Sequence, residues 1–93
     1  MVKVEWDNEK NETLKEERDI CFEDIERVIL DKQILDIRPH FNQERYPNQK
    51  ILIVKLNNYV YYVPFVRDDK KLFLKSIIPS RKYNKIYNKK DSK

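Results

Sequence analysis

The stretch QKILIVKLNNYVYYVPFVR, residues 49–67, decides the fold because it contains two apolar runs that are joined by two asparagines. β-Branched and aromatic side chains dominate both runs, which is typical of strands. Asn57 and Asn58 form the join, and asparagine tolerates the positive φ angles that a two-residue turn requires. The sequence therefore predicts a β-hairpin with strands over residues 49–56 and 59–67.

Three further segments have strand patterns. Residues 34–38 (ILDIR) and 72–78 (LFLKSII) lie on either side of the hairpin, and a short strand is predicted over residues 2–6 (VKVEW). Their spacing favours an antiparallel four-stranded sheet with an additional N-terminal strand. Pro64 lacks the N–H that a central strand uses for pairing, so we expect it at a sheet edge or beside a bulge.

Three helices complete the predicted architecture. We expect Asp7 to cap a polar helix that ends near Arg18, and residues 22–31 have apolar side chains at helical spacing. Ser80 is expected to cap a basic C-terminal helix. That helix would dock on the sheet through three residues, Tyr83, Ile86 and Tyr87. The order of the elements predicts an α+β domain with its helices on one face of the sheet.

Length and composition limit the classes of protein that the chain can represent. A chain of 93 residues has room for one domain. The single cysteine, Cys21, cannot form an internal disulfide and fits a reducing compartment. No apolar run approaches the roughly 18 residues of a membrane span, and the N-terminus does not resemble a signal peptide. We therefore expect a soluble cytoplasmic protein that makes no membrane contact.

The charges are divided unevenly along the chain. Residues 1–31 have a net charge of −6, residues 32–69 of +2 and residues 70–93 of +8. Such a division predicts an electrostatic dipole whose basic end attracts a polyanion. The alternative is that the lysine-rich end is an ordinary solvated tail.

A loop between two predicted strands gathers side chains that suit RNA cleavage without a metal. It contains His40, the only histidine of the chain, together with Arg38, Arg45, Tyr46 and Lys50. An acid–base pair can move protons between the 2′-hydroxyl and the leaving oxygen, while cations stabilise the charge that develops on phosphorus. The alternative is a polar hairpin loop with a surface histidine.

The start of the C-terminal helix forms a second basic cluster. Arg81 and Lys82 follow the cap Ser80 at the helix end whose dipole is already positive, which is unfavourable unless an anion binds there. We predict that this cluster contacts RNA phosphates, with Tyr83, Lys85 and Lys89 in support. The alternative is that Arg81 pairs with Asp36, Asp68 or another carboxylate of the chain.

Other chemistries find little support in the sequence. One cysteine and one histidine cannot complete a zinc site, and a chain without glycine has no glycine-rich phosphate loop. We therefore expect no metal and no cofactor. The alternating aromatics Tyr59, Tyr61, Tyr62 and Phe65 offer stacking surfaces for bases, although such strands more often bury one face in a core.

Three motifs, taken in order, resemble the BrnT-type toxins, the ribonuclease half of bacterial type II toxin–antitoxin pairs. They are WDNEK at residues 6–10, FED at residues 22–24 and IIPSRK at residues 77–82. The resemblance implies a fold similar to RelE-like ribonucleases. It also implies a ribbon-helix-helix antitoxin as partner, in a complex that represses its own promoter. It carries Arg81 and Lys82 over as active-site residues and extends to His40 and Arg45.

Two hypotheses about function follow. The first is a metal-independent mRNA endoribonuclease that inhibits growth, in which Arg81 and Lys82 hold the scissile phosphate and His40 is the general acid or base. In it, Arg38, Arg45, Tyr46 and Tyr83 assist. The second is a non-catalytic toxin-like module that binds an antitoxin or nucleic acid through its basic and aromatic surface. Large apolar residues on both faces of residues 72–78 leave room for a homodimer in either case.

Overall fold

The computed structural model describes residues 3–88, which form three helices and six strands. The elements in chain order are β1 (Lys3–Trp6), α1 (Asn8–Arg18), α2 (Phe22–Leu30), β2 (Asp36–Pro39), β3 (Gln49–Leu56), β4 (Tyr59–Asp68), β5 (Lys71–Leu74), β6 (Ile78–Pro79) and α3 (Arg81–Tyr87). This confirms the predicted α+β class, and the ends of most elements agree with the prediction to within two residues.

The sheet differs from the prediction in its strand count and in one pairing. The strand order is β1-β5-β4-β3-β2, with β6 paired to β4. β1 pairs with β5 in parallel, whereas the other pairs are antiparallel, so the sheet is mixed. Parallel strands cannot be joined by a tight hairpin and need a long connection. Here α1 and α2 lie in the chain between β1 and the other strands, so the connection is long enough.

The predicted hairpin is present. Asn57 and Asn58 have φ angles of 50° and 66°, as a tight turn with two left-handed residues requires. Its strands β3 and β4 pair from Gln49↔Val66 to Leu56↔Tyr59. The hairpin occupies the middle of the sheet, with β2 on one side and β5 and β6 on the other.

The strand predicted over residues 72–78 is interrupted where the register changes. β5 pairs Phe65 with Leu74, whereas β6 pairs Tyr62 with Ile78, so one extra residue is accommodated between them. Pro64 lies in this stretch of the central strand β4, and its carbonyl accepts a hydrogen bond from the Lys75 N–H at 2.7 Å. The N and C=O of one strand residue point towards the same neighbouring strand. The nitrogen of Pro64, which has no hydrogen to donate, therefore faces the break between β5 and β6. The expected sheet edge is therefore wrong, and the expected bulge is correct.

The sheet buries apolar side chains on both of its faces. The larger core packs α1 and α2 against one face, and its residues include Leu14, Phe22, Ile25, Leu52, Val63 and Leu74. The smaller core lies on the other face, where Tyr83 of α3 covers Ile51, Ile53 and Val60. The expectation that all helices share one face is therefore wrong. β3 has apolar residues at odd-numbered positions, Ile51 and Ile53, as well as at even-numbered ones, so both faces need a cover.

Asn11 connects the two N-terminal helices. It is 3% exposed, its Oδ1 accepts the Phe22 N–H at 2.7 Å and its Nδ2 donates to Glu23 at 2.8 Å. The first contact satisfies a backbone donor at the start of α2, and the second lowers the pKa of Glu23. Beside this contact, the rings of Trp6 and Phe22 stack at 5.8 Å. Asn11 thus fixes the position of α2 relative to α1.

Replacing Asn11 with alanine is expected to lower the free energy of unfolding by about 2 kcal/mol, because it leaves a buried N–H of Phe22 without an acceptor. Asn8→Ala is the matched control, since Asn8 is exposed in the same helix and should change stability by less than about 0.5 kcal/mol. Urea unfolding of both variants measures the difference. Equal stability of the two variants would contradict this role of Asn11.

Candidate nucleic-acid interface

Six rings form a continuous row across the α3 side of the sheet. We call it the aromatic row, and its members in spatial order are Tyr46, His40, Phe41, Tyr62, Tyr83 and Tyr87. The centroids of successive rings are 4.7, 4.6, 5.5, 6.4 and 6.2 Å apart. Spacings of about 4.5–7 Å are typical of attractive aromatic contacts. Three segments that are distant in sequence therefore meet in one ordered surface.

Strand alternation explains why these rings share a face. Arg38 of β2 pairs with Ile51, and Tyr62 of β4 pairs with Ile53, and both isoleucines belong to the smaller core. Paired residues of neighbouring strands project to the same side. His40 follows Arg38 by two residues and continues the same side beyond the end of β2. The sheet thus directs the loop that begins at His40 towards α3.

His40 holds this loop in place. Its side chain is 7% exposed and lies between the rings of Phe41 and Tyr46. Its Nδ1 accepts the Asn42 N–H at 3.0 Å, so only Nε2 can exchange a proton with a ligand. The backbone of His40 also accepts a hydrogen bond from the Gln43 side chain at 2.6 Å. The alternative considered from the sequence, a surface histidine, is therefore wrong, because His40 is buried.

Helix α3 is fixed on the sheet by polar contacts as well as by Tyr83. The Ser80 hydroxyl accepts the Tyr83 N–H at 3.1 Å, and the Asn84 side chain accepts the Val60 N–H at 3.1 Å. At the other end the Tyr87 hydroxyl donates to Asp36 at 2.6 Å. This contact raises the pKa of Tyr87 and lowers the pKa of Asp36. Ile86 was predicted to dock on the sheet together with Tyr83 and Tyr87, but it is 45% exposed.

Cations lie at the Tyr46 end of the aromatic row and beside Tyr83, its next-to-last ring. The Arg45 guanidinium is 5.6 Å from the centre of the Tyr46 ring, and Arg38 and Lys82 are 6.0 and 5.5 Å from the centre of the Tyr83 ring. Distances of up to about 6 Å from a ring centre are typical of cation–π contacts. The three cations are therefore held beside the rings by these contacts.

These cations form no ion pair within 4 Å with a carboxylate of residues 3–88, although the Tyr87 hydrogen bond and, after it, the charge of Arg38 lower the pKa of Asp36. Among residues 3–88 the ion pairs within 4 Å are Lys15–Glu12 and Lys71–Glu5, neither of which involves this surface. Arg81 in particular forms no ion pair with Asp36 or Asp68, the two partners considered from the sequence. At its Tyr87 end the aromatic row is hydrogen-bonded to a carboxylate, that of Asp36.

The structure divides the residues predicted to be catalytic into two groups. His40, Arg45 and Tyr46 form one group in the loop, whereas Arg81 and Lys82 form the other at the start of α3. Phe41, Tyr62 and Tyr83 connect them through successive ring contacts. No hydrogen bond between described residues joins His40 to Arg81. Of the second group, Lys82 contacts the same row of rings as the loop group, at Tyr83.

The predicted RNA-binding residues are distributed over both faces. Arg38, Ser80 and Tyr83 lie on the α3 side, where Ser80 is a buried cap, and Lys85 is exposed on α3. Lys50 pairs with Phe65 and faces the α1–α2 side, where it lines a cleft of about 360 Å³ with Phe65 and Arg67. The structure therefore does not bring Lys50 to the aromatic row. Lys89 lies outside the described residues.

The strand aromatics are also divided. Tyr62 belongs to the aromatic row, and burial raises the pKa of its hydroxyl. Tyr59, Tyr61 and Phe65 face the other side, where Phe65 is part of the larger core and Tyr59 packs edge-on against Tyr61 at 5.8 Å. One of the four aromatics considered as base-stacking residues thus reaches this surface.

Sequence reasoning missed the most accessible ring of the surface. Phe41 is 65% exposed, yet it contacts both His40 and Tyr62. A phenylalanine in a polar loop, next to the only histidine and near two arginines, was the available signal. The bond between Tyr87 and Asp36 was also missed, because it joins residues far apart in the chain.

Across residues 3–88, no three side chains of the metal-ligating types His, Cys, Asp and Glu come together. Within that range no helix has the length and apolar character needed to cross a bilayer. Comparisons with protein-family models, with curated proteins and with solved structures found no match.

Proposed function

We propose that the protein binds single-stranded RNA along the aromatic row, as a toxin-like protein of the class that its sequence resembles. The observation that carries this proposal is the continuous row of rings, with Arg45 beside Tyr46 at one end and Arg38 and Lys82 beside Tyr83, the next-to-last ring. None of these cations forms an ion pair within 4 Å with a carboxylate of residues 3–88. A surface of this kind matches the two chemistries of an unpaired strand, flat bases and negative phosphates.

Base stacking and phosphate contacts contribute to binding in different ways. Base stacking on an aromatic side chain contributes about 1–3 kcal/mol per base and tolerates any sequence. Arginine and lysine bind the phosphates, and each such contact makes the affinity depend on salt. Asp36 repels phosphate at the Tyr87 end of the row, so we place the strand mainly between Tyr46 and Tyr83.

The charge distribution also orients the approach of RNA. Helices α1 and α2 come from the segment with a net charge of −6, and they cover the opposite face of the sheet. Arg38, Lys82 and Arg81 lie on the α3 side. A polyanion is therefore repelled from one face and attracted to the other, which raises the rate of productive encounters.

Arg38→Ala is expected to weaken binding of a labelled oligouridylate about 3- to 10-fold, because it removes a phosphate contact, and to reduce the slope of log affinity against log salt by about 0.7. Lys50→Ala is the matched control, since Lys50 is on the neighbouring strand but faces the other side of the sheet. It should leave both quantities close to wild type. Fluorescence anisotropy at several salt concentrations measures them.

Two results would contradict the proposed interface. The first is that the wild-type protein does not bind single-stranded RNA at low salt. The second is that Lys50→Ala weakens binding as much as Arg38→Ala does, which would place the RNA on the other face or on no particular face.

RNA cleavage is a second candidate function, favoured by the cluster of His40, Arg45 and Tyr46 at one end of the aromatic row. In this mechanism a base takes the proton of a 2′-hydroxyl, an acid protonates the leaving 5′-oxygen and cations stabilise the pentacovalent phosphorane. His40 would exchange a proton through Nε2, and Tyr46 and Arg45 would assist. Arg81 and Lys82 would hold the strand, and the reaction would require no metal or cofactor.

If the protein is such a ribonuclease toxin, inducing it in bacteria should arrest growth, and Arg81→Ala should relieve the arrest. Lys10→Ala, an exposed change on α1, serves as the control and should leave the arrest intact. Growth curves with immunoblots of the soluble fraction measure the effect. Equal growth of wild type and Arg81→Ala, with both proteins accumulating in soluble form, would count against this function.

The same proposal includes a partner and a location. A growth-inhibiting RNA-binding protein needs neutralisation, and we infer a cognate antitoxin of the ribbon-helix-helix type. The protein would act in the bacterial cytoplasm, where its RNA substrate is present and Cys21 stays reduced. A homodimer stays a prediction.

A further inference from the structure

We propose that Phe41 is the base-stacking platform of the interface, so that the protein selects RNA with an unpaired, accessible base at this point. This inference rests on the proposed RNA binding and names the contact that gives it its preference for single strands. Phe41 is 65% exposed, which is unusual for a ring that also makes two ordered contacts.

The neighbours of Phe41 hold its ring in place. The imidazole of His40 lies at 4.6 Å with an interplanar angle of 34°, and Tyr62 meets the ring edge-on at 5.5 Å and 80°. His40 is itself fixed by Asn42 and Tyr46. One side of the Phe41 ring is therefore supported by protein, while much of the ring remains open to solvent. A platform that is ordered before binding loses little conformational entropy when a base stacks on it.

The surrounding charges favour a nucleic-acid strand as the occupant over an apolar protein segment. In the aromatic row, Phe41 lies between Tyr46, which has Arg45 beside it, and Tyr83, which has Arg38 and Lys82 beside it. A base on Phe41 would place the phosphates of its strand within the field of these cations. An apolar peptide would bury the same ring but leave the positive charges without partners, at a cost in desolvation.

The inference also explains why the platform would disfavour duplexes. A base in a duplex is stacked within its own strand and paired across it, so its flat face is not available to Phe41. The grooves of double-stranded RNA present phosphates and 2′-hydroxyls instead. Single strands, loops and bulges expose unstacked bases and are the expected ligands.

Four variants test the role of Phe41 by fluorescence anisotropy with a labelled oligouridylate at one salt concentration. Phe41→Ala and Phe41→Leu should bind at least about tenfold more weakly than wild type, because both remove the aromatic ring. Phe41→Trp should bind as well as wild type or better. Leu30→Ala is the matched control: Leu30 is 64% exposed but lies on α2, and its removal should leave the affinity unchanged.

Two ligand controls separate stacking from phosphate contacts. An abasic oligonucleotide of equal length should bind wild type and Phe41→Ala equally, because it offers no base to stack. The oligouridylate annealed to oligoadenylate should bind wild type more weakly than the single strand does. Urea unfolding of each variant verifies that the protein remains folded. Phe41→Leu keeps more of the apolar volume than Phe41→Ala does, in case Phe41→Ala does not fold.

The outcomes distinguish this inference from the function on which it rests. If wild type binds RNA and Phe41→Ala or Phe41→Leu binds equally well, the platform is refuted while RNA binding stands. The platform is also refuted if Phe41→Ala weakens binding of the abasic strand as much as it weakens binding of the oligouridylate. If wild type binds no RNA, both the function and the platform fail. If Phe41→Ala converts a dimer of the chain to a monomer in light scattering, Phe41 is a protein contact and the inference is overturned.

Discussion

Two-sided burial of the β3–β4 hairpin is the constraint on which the rest of the structure depends. Leu52 and Val54 face α1 and α2, Ile51 and Ile53 face α3, and all four are at most 1% exposed. Each such side chain contributes about 1.5–3 kcal/mol through the hydrophobic effect when it is fully buried. If helices covered only one face, two of these four side chains would stay exposed to water, and their contribution to stability would be lost. The chain therefore needs a second cover, and the basic C-terminal helix supplies it.

The second cover is short, and this explains the surface that we propose binds RNA. Helix α3 has seven residues, and with Tyr83 and Tyr87 it covers only part of the face. The loop at His40 extends the cover with further rings, so one row of aromatic contacts both completes a core and reaches solvent. The hydrogen bond from Tyr87 to Asp36 ties the helix to the edge strand. Stability and the proposed function thus use the same side chains.

Local patterns in the sequence predicted much of this fold, whereas contacts between distant segments did not follow from them. The Asn57–Asn58 turn, the Asp7 cap and both hairpin strands depend on neighbouring residues, and they were predicted correctly. The parallel pairing of β1 with β5, the face chosen by α3 and the clamp at Asn11 depend on residues far apart in the chain. For the candidate site, the residue types around His40 and Arg81 led to the RNA hypothesis, which stays a prediction. The row of rings, the opposite orientation of Lys50 and the exposure of Phe41 required the structure.

The proposed RNA interface lies along the aromatic row on the α3 side of the sheet. Photo-cross-linking with an oligonucleotide that contains 4-thiouridine identifies the residues that RNA contacts without changing the protein. Mass spectrometry of the digested adducts should place the cross-links on rings of the row, above all Phe41, Tyr46 and Tyr62. Cross-links confined to α1 and α2, or to the cleft beside Lys50 and Arg67, would contradict it.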